Sequence, residues 1–146
     1  ALCLPAVALL PDAQASNFRW QCVTFARSFS GIEIRGNAHT WWEQSAGRYH
    51  RSSRPEVGAV LVFKSFGTGG MRLGHVATIS EVLNNREVLI THANWTGKGE
   101  VDTNVRAVDV SPSGDWSRVR VWYPPVNDLG RTAYPAFGFI HPNYEG

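Results

Sequence analysis

A change of hydrophobic period constrains this chain more than any other feature. Up to Gly47 apolar residues recur at helical spacing, and from Val57 onward they form short β-branched runs broken by Gly, Asn and Pro. The spacing predicts a helix over Asn17–Gly31, capped by Ser16 or Asn17 and stopped by Gly31, with Cys22, Phe25, Ala26 and Phe29 on one buried face. A second short helix fits Ala38–Ala46, with Asn37 as cap and Gly47 as stop. Strands are expected at Val57–Phe63, Val76–Val82, Val88–His92, Val105–Val110, Val119–Tyr123 and Phe137–His141, with turns at Asn84-Asn85 and Pro112-Ser113-Gly114. Helices first and strands second predict an α+β class, with N-terminal helices packed on a small antiparallel twisted sheet or partial barrel.

Composition narrows the function classes. A chain of 146 residues makes one domain that needs no disulfide or metal scaffold to fold. Its 43% hydrophobic and 12% aromatic content excludes intrinsic disorder. The net charge is only +2 and the basic residues form no run, which argues against nucleic acid as a partner. The opening stretch Ala1–Leu10 is almost wholly apolar but too short to span a bilayer. With Ala13-Gln14-Ala15 as a small-x-small cleavage pattern, residues 1–15 read as a signal-peptide remnant, the alternative being an N-terminal arm. The expectation is an exported protein, periplasmic or secreted, without stable membrane insertion, whose functional domain spans residues 16–146. Removal of the leader takes Cys3 with it and leaves Cys22 as the lone thiol.

Three features point to chemistry. Cys22 falls early in the first helix, where the helix dipole and free N–H groups favour a thiolate and face the position of a tetrahedral oxyanion. His75, in Gly74-His75-Val76-Ala77, opens a strand after a Gly-rich loop, and its ordinary pKa suits a general base. His92 and Asn94 share a face at the end of the next strand. A hairpin centred on Asn84-Asn85 sets His75 nearly opposite His92, so His92 or Asn94 can orient the imidazole. Packing alone explains each feature taken singly, since a lone Cys on an apolar helix face is most often core.

These residues resemble the CHAP domain, the cysteine- and histidine-dependent amidohydrolase/peptidase family of the papain-like superfamily. The likeness lies in Gln21-Cys22-Val23 with Phe25-Ala26, Asn37-Ala38 with Trp41, Pro55 through Gly58 to Phe63, Gly74-His75-Val76-Ala77 and His92-Ala93-Asn94-Trp95. The resemblance implies a papain-like fold, a Cys22 nucleophile, a His75 base and hydrolysis of peptide or amide bonds in bacterial peptidoglycan. It also shows a departure, because His92 stands where many members carry Glu. The implied triad is Cys22–His75–His92, with Asn94 as alternative or auxiliary orienter. The implied mechanism is acyl transfer, with Cys22 held as a thiolate by His75 and the helix terminus, and Gln21 helping the Cys22 N–H to hold the oxyanion.

Aromatic faces suit sugar rings and aliphatic stem-peptide portions, and Trp95 and Trp41 are the candidates for substrate contact. Arg35, Arg48 and Arg72 are candidates for stem-peptide carboxylates. The expected partner is peptidoglycan, acted on by a monomer without a cofactor or metal. Zinc held by Cys22, His75 and His92 is disfavoured, since no two of them share the short spacing of zinc ligands. The main rival is a non-catalytic cell-wall-binding module on the same fold. Amidase and endopeptidase use the same residues, so the bond cut stays open.

Overall fold

The structure, a computed structural model, describes residues 21–143, so the expectations for Cys3, residues 1–15 and the caps Ser16 and Asn17 lie outside the described residues. Helix α1 is Cys22–Ser30. Its start is later than the hydrophobic spacing predicts. Gln21 is extended (φ −100°, ψ 157°), and its N–H donates to Thr24 Oγ1 at 3.2 Å, which makes it the N-cap. Gly31 ends the helix as expected, in the left-handed conformation (φ 83°) with its N–H on the Arg27 carbonyl at 3.0 Å. Cys22 is therefore the first helical residue. The predicted buried face holds at Ala26 but not at Phe29, which is half exposed and stacks on Phe25. The second helical stretch is a 3₁₀ turn, Ala38–Thr40, running into the one-turn helix α2, Trp41–Gln44.

Eight strands follow: β1 Arg51–Ser52, β2 Val60–Phe63, β3 His75–Asn84, β4 Glu87–Ala93, β5 Val101–Asp109, β6 Arg118–Tyr123, β7 Asp128–Leu129 and β8 Tyr134–Ile140. The antiparallel order β8-β2-β3-β4-β5-β6 closes on itself, because β8 also pairs with β6 through Arg118↔Pro135 and Val119↔Tyr134. This corrects the expected class. The domain is mainly a closed six-stranded antiparallel β-barrel with two short helices among the described residues, not a helix-packed α+β papain-like fold. Closure removes the exposed edges that an open sheet of this size presents.

Two apolar cores explain the sequence pattern. Strand β2 is buried on both faces, which is why Val60–Phe63 is an unbroken apolar run. Leu61 and Phe63 face the barrel interior with Ala77, Ile79, Ile90, Trp116 and Phe139. Val60 and Val62 face outward onto a second core with Ala26, Ile32, Ile34, Trp41 and Val76. Cys22 and Val23 pack against this outer core, which seats α1 on β3. At the far end, His141 Nε2 lies 2.7 Å from Ser52 Oγ and its Nδ1 lies 3.1 Å from Glu56 Oε1, tying the short strand β1 to the chain beyond β8.

Candidate active site

His75 is the first residue of β3 and shares the interior face with Ala77. Gly74 sets its entry into the strand. Gly74 has φ 77°, and a Cβ there would stand 2.7 Å from the Phe63 carbonyl and 2.8 Å from the His39 nitrogen. Gly74→Ala is expected to destabilise the fold by about 2 kcal/mol and to displace His75, measured as a lower melting temperature together with lost activity.

The β3–β4 register pairs Thr78 with Thr91 and Ile79 with Ile90. Continued outward, it sets His92 against Ala77, one diagonal step from His75. The two imidazoles meet across that step, with His75 Nε2 2.8 Å from His92 Nδ1 and the rings edge to face. His75 keeps Nδ1 as its other ring nitrogen. His92 Nε2 is buried without a hydrogen-bond partner and lies 3.8 Å from Asp102 Oδ2. Asp102 sits opposite His92 in the β4–β5 register and accepts a hydrogen bond from the Thr96 hydroxyl. Asp102 was not visible as a site residue in the sequence, because its position depends on a second hairpin with an irregularity between Ile90 and His92. The signal for it is the turn-rich stretch Asn94–Glu100, which folds β5 back onto β4.

Asn94 takes a different place from the one expected. It is left-handed (φ 66°), its N–H donates to the Glu100 carbonyl, and its Oδ1 accepts the Gly99 N–H, both at 2.8 Å. Its oxygen thus holds the β4–β5 turn, while His92 meets His75. Trp95 lies against both imidazoles, 4.8 Å from the His75 ring centroid and 5.6 Å from that of His92. It also touches Phe63 and Tyr134 and lines a cleft of about 450 Å³ together with His75 and Asn94. Trp41 does not reach this cleft. It is fully buried in the outer core with its indole N–H on the Gly36 carbonyl, so the expected substrate contact is corrected to a packing role. Arg35, Arg48 and Arg72 are likewise absent from the cleft wall, and Arg131 is present there.

The Cys22 sulfur faces the backbone N–H groups of Val76, Val23 and Cys22 itself. Gln21, exposed, immediately precedes it. Burial raises the Cys22 thiol above its ordinary pKa, more than these N–H groups lower it. Burial and the neighbouring His92 hold His75 well below the usual imidazole range. Burial lowers His92 to about 3. These directions favour a neutral thiol and neutral imidazoles at neutral pH over the expected thiolate–imidazolium pair. Among the described residues no hydrogen bond joins Cys22 to His75, as is common in free enzymes before substrate tightens the contact. Alkylation of Cys22 by iodoacetamide is accordingly expected to be slow at pH 7 and to rise only above the ordinary thiol range. Fast labelling at pH 6 would contradict this.

No curated protein matches the chain. A crystal structure of N-acetylmuramoyl-L-alanine amidase from Staphylococcus aureus is similar in fold, with a TM-score of 0.54 and 19% identity. The match covers 80% of this chain, which spans 30% of the amidase chain. The family model of the CHAP domain matches residues 13–94, a stretch that holds Cys22, His75, His92 and Asn94. That stretch is more than half of the sequence, and the chain belongs to the CHAP domain family.

Proposed function

We propose that this domain is a peptidoglycan hydrolase, acting outside the cytoplasm, that cleaves an amide or peptide bond of the stem peptide or crossbridge with Cys22 as nucleophile. The observation that carries this reading is the His75–His92 hydrogen bond at the barrel mouth, next to a cysteine that opens a helix and faces three N–H groups. The family match and the amidase likeness support the peptidoglycan substrate.

The His75–His92 contact supports one proton path. With the His75 proton on Nε2 and donated to His92 Nδ1, His75 Nδ1 is free to accept the thiol proton as the sulfur attacks the carbonyl carbon. The C–S bond forms and the carbonyl oxygen becomes an oxyanion, held by the Cys22 N–H with the Gln21 side chain beside it. His75 then protonates the departing nitrogen as the C–N bond breaks, leaving a thioester on Cys22. Water, deprotonated by His75, attacks the thioester and releases the acid and the free thiol. Because the thiol rests neutral, proton transfer accompanies attack rather than preceding it.

A positive charge on His75 during these steps is poorly stabilised by a neutral His92 alone. Asp102 supplies the missing negative charge, since the His92 Nε2–H faces its carboxylate at 3.8 Å. Acting on His75 from beyond the intervening His92 ring, a partly screened charge is worth about 1–2 kcal/mol, so Asp102→Asn is expected to lower kcat about tenfold with KM unchanged. Steady-state kinetics on a soluble peptide checks this, and an unchanged kcat would remove Asp102 from the relay.

The missing Cys22–His75 hydrogen bond favours the second reading, a wall-binding module without turnover. One experiment separates the two. Purified sacculi incubated with the chain are expected to release soluble fragments with new free amines, and Cys22→Ala is expected to bind without releasing any. A parent protein that binds sacculi and releases nothing would leave the binding module in place of the enzyme.

A further inference from the structure

The cleft beside His75 combines apolar residues with polar groups that carry no negative charge among the described residues. Its polar side chains beyond His75 are Arg131, Thr132, Tyr123, Tyr134 and Asn94, and among the described residues no Asp or Glu lines it. Asn94 Oδ1 is already used by the Gly99 N–H, which leaves its amide N–H groups as donors toward the cleft. Arg131 is exposed and makes no ion pair among the described residues, although Asp128 lines the shallow depression next to it. Its backbone is held in place. The Gly130 N–H donates to the Val121 carbonyl, and the Gly130 carbonyl accepts from Arg120 Nε, both at 2.8 Å. A free guanidinium on a fixed backbone, among hydroxyl and amide donors, is complementary to a planar anion.

We propose that Arg131 binds a carboxylate of the substrate, so that the domain selects peptides carrying a free carboxylate near the bond to be cut. This rests on the hydrolase reading and extends it. His75, the proposed base, lines the cleft together with Arg131, so a substrate that reaches His75 through this cleft brings its neighbouring residues to Arg131. Trp95 and Tyr134, in edge contact at 5.2 Å, give the aliphatic part of such a peptide an apolar wall. Replacing the carboxylate by a carboxamide removes the charge and one acceptor, leaving the guanidinium with half a partner.

Calorimetric titration of the Cys22→Ala protein with two synthetic stem peptides tests the site without turnover. The peptides differ only in having free carboxylates or primary amides. The carboxylate form is expected to bind about tenfold more tightly. Arg131→Gln in the same background is expected to erase that preference, and Arg131→Lys to restore part of it, with melting temperatures showing that both variants fold. Equal binding of the two peptides, binding of neither, or a preference retained by Arg131→Gln would overturn the proposal. If Cys22→Ala still degraded sacculi, the nucleophile assignment would fall, while the calorimetry would still decide the role of Arg131.

Discussion

Replacing Cys22 with Ala is expected to lower the release of soluble fragments from sacculi by about 10⁴-fold or more, the scale on which hydrolases lose activity with their nucleophile. The size follows from the proposed mechanism, in which the Cys22 sulfur forms the acyl-enzyme. His75 is held neutral and buried, and His92 is a further step from the cleft. His75→Ala is expected to fall nearly as far, and the double variant no further, since base and nucleophile act in one step. Binding to sacculi should survive in Cys22→Ala, because α1 is seated by Val23 and Ala26 as well as by Cys22. Fragment release and pull-down on the same sacculi measure the two quantities together. A Cys22→Ala protein with a tenth of parent activity would place the chemistry elsewhere.

Mild acid is expected to destabilise the fold. His75 and His92 are buried with lowered pKa values, so below the ordinary imidazole range the unfolded chain binds protons that the folded chain refuses. Stability is then full above about pH 6.5 and falls as pH drops toward the folded values. His92 alone, shifted from 6.5 to about 3, accounts for up to about 5 kcal/mol across that window. His75 adds to it in the same direction, and so does His141, lowered by burial against the opposing pull of Glu56. Asp115, lowered from 3.8 to about 2 by hydrogen bonds from Ser117, titrates below pH 4.5 and leaves the interval from pH 7 to 4.5 to the histidines. A small domain has about 5–15 kcal/mol in all, so the loss is a large share of it. Melting followed by circular dichroism should show a steep fall in midpoint between pH 7 and 4.5, and His92→Gln should flatten that slope. An unchanged midpoint across the interval would mean that the imidazoles are not buried.

Local signals made most of the strands legible. The β-branched runs and their Gly, Asn and Pro breaks mark β2, β3, β4, β5, β6 and β8, because each strand's burial is written in its own residues. Barrel closure was not legible. It depends on β8 meeting β2 and β6, and Val60 pairs with Ile140 across 80 positions, a contact no local pattern encodes. Among site residues, His75 and His92 could be set together by counting along one hairpin, whose turn is visible in the sequence. Asp102 and Arg131 could not, since each reaches the site through a further strand pairing. Trp41 and Trp95 look alike in the sequence, and only their places, one under α1 and one at the barrel mouth, separate packing from cleft wall. Phe29 shows a related limit: helical spacing marks a face without saying how far along the helix that face stays covered.

Digestion of purified sacculi in ¹⁸O-labelled water, followed by mass spectrometry of the fragments, tests the central claim most directly. Cleavage by Cys22 through a thioester predicts fragments with a new free amine and solvent oxygen in the matching new carboxylate, and none from Cys22→Ala. Label in a new reducing sugar end, or the same labelled fragments from Cys22→Ala, would contradict it.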